Sequence, residues 1–219
     1  MKLGFKDIYK RLFARFGPQY WWPADSAFEV MIGAILTQNT SWTNVEKAIR
    51  SLKKNKVLSP AKLYGLCDKR LAQFIRPSGY YNLKALRIKN FLAFFIRDYK
   101  ASVKRMAAVR TSILREQLLS VKGIGPETAD SILLYALAKP VFVVDAYTKR
   151  IFSRHKIIAA DPEYHSVQGI FMRNLPADVG LFKEYHALIV RLAKEFCFKN
   201  NPKCRICPLK ENDRIRDKS

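Results

Sequence analysis

Acidic residues are scarce in this chain. Its 219 residues carry 18 Asp and Glu against 40 Lys and Arg, a formal net charge of +22. A folded chain this basic requires an anionic partner, with nucleic acid the first candidate and an acidic membrane the second. Long apolar runs are missing as well: the stretch Ile132 to Ala138 is far too short to cross a bilayer. No segment clearly combines a strong apolar face with a basic one, so no membrane partner is expected. The N-terminus, Met-Lys-Leu-Gly-Phe-Lys-Asp, lacks the apolar core of a signal peptide, which predicts a cytoplasmic, nucleoid-associated protein. Cysteines number only four, and in that compartment they argue against disulfides and for a metal or a buried thiol. Repeats, low-complexity tracts and obvious linkers are absent. Because the basic residues are spread along the chain, the positive surface belongs to the folded body.

A hydrophobic content of 49% supports a globular fold, and the length suits one large domain or two small ones. Helical periodicity dominates. It predicts helices over Asp7 to Phe16, Ala27 to Leu36, Thr43 to Lys53, Lys84 to Tyr99, Ser112 to Leu119, Glu127 to Ala138, Ala146 to His155, His165 to Asn174 and Lys183 to Cys197. Gly and Pro punctuate the gaps, as at Gly17-Pro18, Pro77-Ser78-Gly79, Lys139-Pro140 and Asp161-Pro162. Only Val141 to Val144 reads as extended. The expected class is therefore all-α.

The most specific signal is Val121-Lys122-Gly123-Ile124-Gly125-Pro126-Glu127, between two apolar helical segments, with Asp145 eighteen residues beyond Glu127. Two glycines one residue apart suit a tight helix-hairpin-helix whose backbone closely approaches another surface. The second helix would begin there, and a helix N-terminus is suited to a phosphate. Asp145 follows the extended run. Alone it reads better as an N-cap for the next helix. Hairpin, apolar run and carboxylate together point to chemistry on DNA.

Three further groups carry candidate chemistry. Cys197, Cys204 and Cys207 lie close together near the C-terminus, with Asp213 the next plausible ligand, a spacing that suits either an iron–sulfur loop or three ordinary thiols. Cys67, in a separate helical segment, is expected to be a small buried residue. The loop Leu36-Thr37-Gln38-Asn39-Thr40 places Gln38 at a polar tip where it could enter a base stack, while Asn39 could cap the next helix or meet phosphates. Trp21, Trp22 and Trp42 are all the tryptophans in the chain. They could stack on a nucleobase or fill the core.

Together these pieces resemble the helix-hairpin-helix (HhH-GPD) DNA glycosylases of the endonuclease III superfamily, over about Ala27 to Cys207. Within it, Trp21-Trp22-Pro23, Leu-Thr-Gln-Asn-Thr, Arg76-Pro77-Ser78-Gly79-Tyr80-Tyr81-Asn82 and the Glu at 127 are most similar to the bacterial 3-methyladenine glycosylase branch. The resemblance implies two helical subdomains. One is a six-helix bundle at 27–135 carrying the hairpin; the other is a mixed subdomain of 1–26 and 136–219 with the catalytic Asp and the Cys loop at 197–213.

By the same resemblance, Asp145 is catalytic, and Trp21, Trp22, Trp42 and Glu127 belong to the base pocket. Gln38, Asn39, Lys122, Gly123 and Gly125 contact DNA, Gln38 as a wedge. A monovalent cation at the hairpin is implied, as is a [4Fe-4S] cluster on Cys197, Cys204 and Cys207. The superfamily's fourth Cys is replaced by Asp213, and some members of the branch lack the cluster. Glu127 stands where endonuclease III has its nucleophilic Lys, and a carboxylate forms no Schiff base. The implied activity is monofunctional excision of alkylated purines such as 3-methyladenine from double-stranded DNA by a monomer, leaving an abasic site. The alternatives are a glycosylase for oxidised or mismatched bases, and a non-catalytic DNA-binding protein.

Overall fold

The computed structural model describes residues 4–210. The chain forms two compact units, Trp22–Pro140 and the flanking stretches Met1–Trp21 with Val141–Ser219. Among the described residues there is no β-strand. Among the described residues, no helix is long and apolar enough to cross a membrane.

The 22–140 unit is built around α2 (Ala27–Leu36), whose residues Phe28 to Leu36 are all buried. A helix apolar on every side belongs at the centre of a bundle. Ser26 starts it by accepting the Glu29 N–H at 3.2 Å, an N-cap. Around it stand α3 (Trp42–Lys54), α4 (Pro60–Gly65), α5 (Asp68–Phe74), the long α6 (Tyr81–Tyr99), α7 (Val103–Ala108), α8 (Thr111–Ser120) and α9 (Pro126–Ser131). The helix of α9 continues as a π-turn over Ile132–Ala136, a local widening often found at functional sites. Periodicity did not mark α4, α5 and α7. Each has six or seven residues, too few to show a 3.6-residue repeat. Cys67 is not buried as expected: it is exposed at the N-cap of α5.

The other unit holds α1 (Phe5–Phe16), α10 (Ala146–Arg154), α11 (Tyr164–Asn174) and α12 (Val179–Glu195). Its core is aromatic. Phe142 stacks on Phe171 with centroids 4.0 Å apart and meets Phe182 edge-on at 5.5 Å. Phe142, Phe152, Phe171, Phe182 and Tyr185 are fully buried. The run Val141–Val144 is buried and belongs to neither a helix nor a strand. Side chains of α11 take the place of a sheet neighbour: the Val144 N–H donates to the Tyr164 hydroxyl at 3.3 Å, and the Gln168 amide donates to the Phe142 carbonyl at 2.7 Å. Buried backbone groups in such a segment need partners of this kind.

Candidate active site

The hairpin joins α8 to α9 and is tied to its surroundings by side chains. Gly123 has φ +96, and a Cβ there would lie 2.4 Å from Arg87 Cγ. Only glycine allows both that backbone and that approach. Gly125 has φ −93, so its backbone does not require glycine, and a Cβ would meet nothing within 4 Å. Its lack of a side chain leaves the backbone open to an approaching surface.

Arg87 lies over Gly123 and donates to Gln38 Oε1. The Gln38 amide donates to the Gly123 carbonyl at 3.0 Å and to Thr128 Oγ1 at 2.9 Å. Gln38, read from sequence as an open loop tip, is thus half-buried and engaged at both ends of its amide. Asn39 beside it is exposed with φ +52. Lys122 is exposed, and its carbonyl accepts from Asn90 at 3.0 Å. Under the loop, Lys84 is buried and donates to the carbonyls of Leu36 at 2.8 Å and Ser78 at 2.6 Å. Burial, with the charge of Arg87 adding to it, lowers the Lys84 ammonium pKa to about 8.

Trp22 and Trp42 meet edge to face, with centroids 5.0 Å apart, and Tyr135 in the π-turn packs on Trp22 at 5.2 Å. Trp22 lies against α2 at Gly33, where a Cβ would come within 3.2 Å of its ring. The Trp42 indole N–H donates to Glu46 Oε1 at 2.8 Å, one helical turn on. Trp22, Trp42, Glu29 and Glu46 line a cavity of about 210 Å³, together with the cationic Arg50 and Lys53. Glu29 is buried and pairs with Lys53 at 2.7 Å. Trp21 is half-buried and belongs to the other unit. Glu127 is exposed in the first turn of α9, outside this lining.

Asp145 is buried at the N-cap of α10. Its Oδ1 accepts the Thr148 N–H at 2.7 Å and the Thr148 hydroxyl at 2.8 Å. Its Oδ2 lies 3.5 Å from His186 Nε2 on α12. Burial pushes the carboxyl pKa up. The His186 contact and charge, then the two Thr148 bonds, outweigh burial and hold it below the usual carboxylate value. The capping reading is therefore realised, but capping occupies only one of the two oxygens.

Cys197 is buried, Cys204 exposed and Cys207 intermediate. Arg154 donates to Cys197 Sγ at 3.2 Å and to the carbonyls of Phe198 and Lys199 at 2.5 and 2.6 Å. Burial raises the Cys207 thiol pKa, and the other two thiols add to the effect. Among the described residues no group of three or more His, Cys, Asp and Glu side chains is arranged to hold a metal ion. Asp213 lies outside the described residues. Cys197, Cys204 and Cys207 are the described residues that would hold an iron–sulfur cluster, and the Arg154 N–H on Cys197 Sγ is a hydrogen bond that a ligating sulfur also accepts.

His186, Arg87, Thr128 and Glu46 escaped the sequence reading. Each acts on a residue that was singled out, and only the four-residue step from Trp42 to Glu46 was visible as helical spacing.

Comparison with known proteins agrees with this geometry. Residues 32–177 match the family described as HhH-GPD superfamily base excision DNA repair protein. A Methanocaldococcus jannaschii protein named "Putative DNA repair glycosylase MJ1434" is 51% identical over 93% of this chain and 93% of its own. A thymine/uracil-DNA glycosylase of Pyrobaculum aerophilum is 26% identical over 95% of this chain and 89% of its own. Among solved structures, the H. pylori 3-methyladenine DNA glycosylase MagIII bound to 1,N6-ethenoadenine is 31% identical and superposes with a TM-score of 0.76, covering 88% of this chain and 98% of that one. The chain belongs to the HhH-GPD superfamily of base excision DNA repair proteins.

Proposed function

We propose that this protein is a monofunctional DNA glycosylase that removes alkylated purines, such as 3-methyladenine, by hydrolysis of the N-glycosidic bond. The observation that carries the reading is the Trp22–Trp42 pair, with the Glu46 carboxylate on the Trp42 indole N–H. N3- and N7-alkylated purines are cations. Electron-rich indole faces attract a cation by about 0.5–2 kcal/mol, and a carboxylate on the indole N–H increases that electron density. A neutral base gains little from such a pocket. The likeness to the H. pylori 3-methyladenine glycosylase supports the same reading.

The reaction needs few groups. The damaged nucleotide leaves the stack, and its base enters the aromatic pocket. The C1′–N bond breaks with its electron pair going to the base, which departs neutral because it was already cationic. Asp145 stabilises the cationic sugar and accepts the proton of the water that adds to C1′. Glu127 offers no amine, so the strand stays intact at the abasic site. Gly123, Gly125 and Lys122 meet backbone phosphates, the hairpin would hold a monovalent cation beside them, and Gln38 and Asn39 face the duplex. Asp145 works within the 1–26 and 136–219 part of the chain, and the hairpin within 27–135. The protein acts as a monomer on double-stranded DNA in the cytoplasm.

The second reading, excision of oxidised or mismatched bases, draws on the thymine/uracil-DNA glycosylase relative. Base release from one duplex series carrying 3-methyladenine, 7-methylguanine, uracil or thymine opposite guanine separates the two. Release of the cationic bases supports the proposal. Release of the neutral ones alone supports the second reading.

A further inference from the structure

We propose that His186 is the positioning residue of Asp145: its imidazole, 3.5 Å from Oδ2, holds the second carboxylate oxygen in one orientation. The inference rests on the reading of Asp145 as the catalytic carboxylate.

An aspartate that only caps a helix needs one oxygen on one or two N–H or O–H donors. Thr148 supplies both donors to Oδ1, at 2.7 and 2.8 Å. The second oxygen is not given to solvent or to the helix. It faces His186 Nε2 at 3.5 Å, and both residues are buried, at 9% and 8% exposure. His186 lies on the face of α12 that buries Phe182, Tyr185 and Ile189. A polar ring on so apolar a face needs a polar counterpart, and Asp145 is one.

Several other polar groups of the neighbouring helices have partners of their own. On α10, Arg150 donates to the Cys197 carbonyl at 2.9 Å, and Arg154 serves the segment from Cys197 to Lys199. On α11, the Tyr164 hydroxyl accepts from Val144, and His165 is exposed. On α12, Lys183 lies one turn before His186, its pKa lowered by burial. His186 and Thr148 are the side chains that bear on the Asp145 carboxyl.

This matters for the chemistry. Burial alone drives a carboxyl toward its neutral acid, which neither stabilises a cation nor accepts a proton from water. His186 opposes that drift and holds Oδ2 in one orientation, so the group is ionised before substrate arrives. Since Oδ1 is fully engaged by Thr148, Oδ2 is the oxygen that takes the water proton.

The test compares wild type, His186→Phe, which keeps an aromatic ring and removes the nitrogen, and His186→Gln, which keeps a donor and cannot be protonated. The Asp145 carboxyl is titrated by carbon NMR on aspartate-labelled protein, with Asp145→Asn assigning the signal. In parallel, single-turnover base release is measured against pH. The Phe variant is expected to raise the Asp145 midpoint by about 1–3 pH units and to move the acid limb of the rate profile with it. Above that limb the Phe rate should stay below wild type, because Oδ2 is no longer held in one orientation. Gln is expected to shift both by less. An unchanged midpoint in a folded Phe variant, or a rate lowered equally at every pH, overturns the role. If the Phe variant does not fold, the Gln variant decides, since it also loses the imidazole and its midpoint must rise. Wild-type rates in Asp145→Asn would remove the catalytic reading, while the NMR midpoint still reports on His186.

Discussion

Arg115 on α8 and Asp130 on α9 form a two-point ion pair across the hairpin, at 2.7 and 3.0 Å. Asp130 is fully buried. The pair fixes the angle at which the two hairpin helices meet, so the glycine turn is presented in one geometry. Taking one member of such a pair away strands a buried charge. Arg115→Met is therefore expected to cost about 3–5 kcal/mol in urea unfolding. The double change Arg115→Met with Asp130→Leu should recover most of that loss, because no charge is left behind. A single variant as stable as wild type would show that the pair does not brace the hairpin.

The tryptophan pocket makes a sharper claim. Trp42→Ala should slow excision of a cationic alkylpurine by roughly ten- to hundredfold, the equivalent of about 1–3 kcal/mol of stacking and cation–π attraction. Affinity for undamaged duplex, set mainly by charge, should barely move. Trp42→Phe should keep much of the activity, and Glu46→Gln should fall between them, because it keeps a hydrogen-bond acceptor and loses the charge. Single-turnover kinetics with melting curves as folding controls check the series. A folded alanine variant at the wild-type rate would contradict the pocket.

Glu127 sets the outcome at the abasic site. Borohydride treatment on an abasic duplex should trap little covalent complex, since an amine is needed to form the imine. Strong trapping would mean that another amine, such as Lys122 or Lys149, reaches C1′.

Lys84 gives a pH signature. Its pKa is about 8 in the folded protein against 10.5 for the ordinary group. Between those values the unfolded chain binds the extra proton, so this residue's contribution to stability rises with pH across that window. Below pH 8 the cost of burying the charge is fully present. The difference in unfolding free energy between wild type and Lys84→Met should therefore shift in favour of wild type on going from below pH 8 to above it. A difference independent of pH would contradict the buried ammonium.

The thiols near the C-terminus make a separate prediction. Protein purified without oxygen is expected to show an iron–sulfur absorption band if Asp213 completes the site, whereas a colourless protein without iron would leave Cys197, Cys204 and Cys207 as ordinary thiols. Iron content near four per chain, with that band, would show that Asp213 or another group completes a cluster.

How much of this was legible in the sequence follows from the range of each interaction. The hairpin, the apolar run before Asp145 and the tryptophans were visible because glycine geometry, apolar runs and residue type are local properties. So was α2, an apolar helix opened by Ser26. Gln38 was read as an open tip because its partners Arg87, Gly123 and Thr128 lie far along the chain, and nothing local signals them. His186 was missed for the same reason. It looks like one polar position in an amphipathic helix until α12 brings it to Asp145. The run at 141–144 was read as extended and strand-like; it is neither helix nor strand, and its neighbours are side chains of α11, a distinction that periodicity does not carry.

The central claim is excision of a cationic alkylpurine by Asp145 without strand cleavage. Incubating wild type and Asp145→Asn with methylated duplex DNA, then measuring free base by chromatography and strand length on a denaturing gel, tests it most directly. The expected result is release of 3-methyladenine by wild type from strands that stay full-length until heated in alkali. The Asn variant should bind the duplex as well as wild type and release no base. Equal release by the two proteins would return Asp145 to a capping role, and no release of any methylated base by wild type would contradict the account.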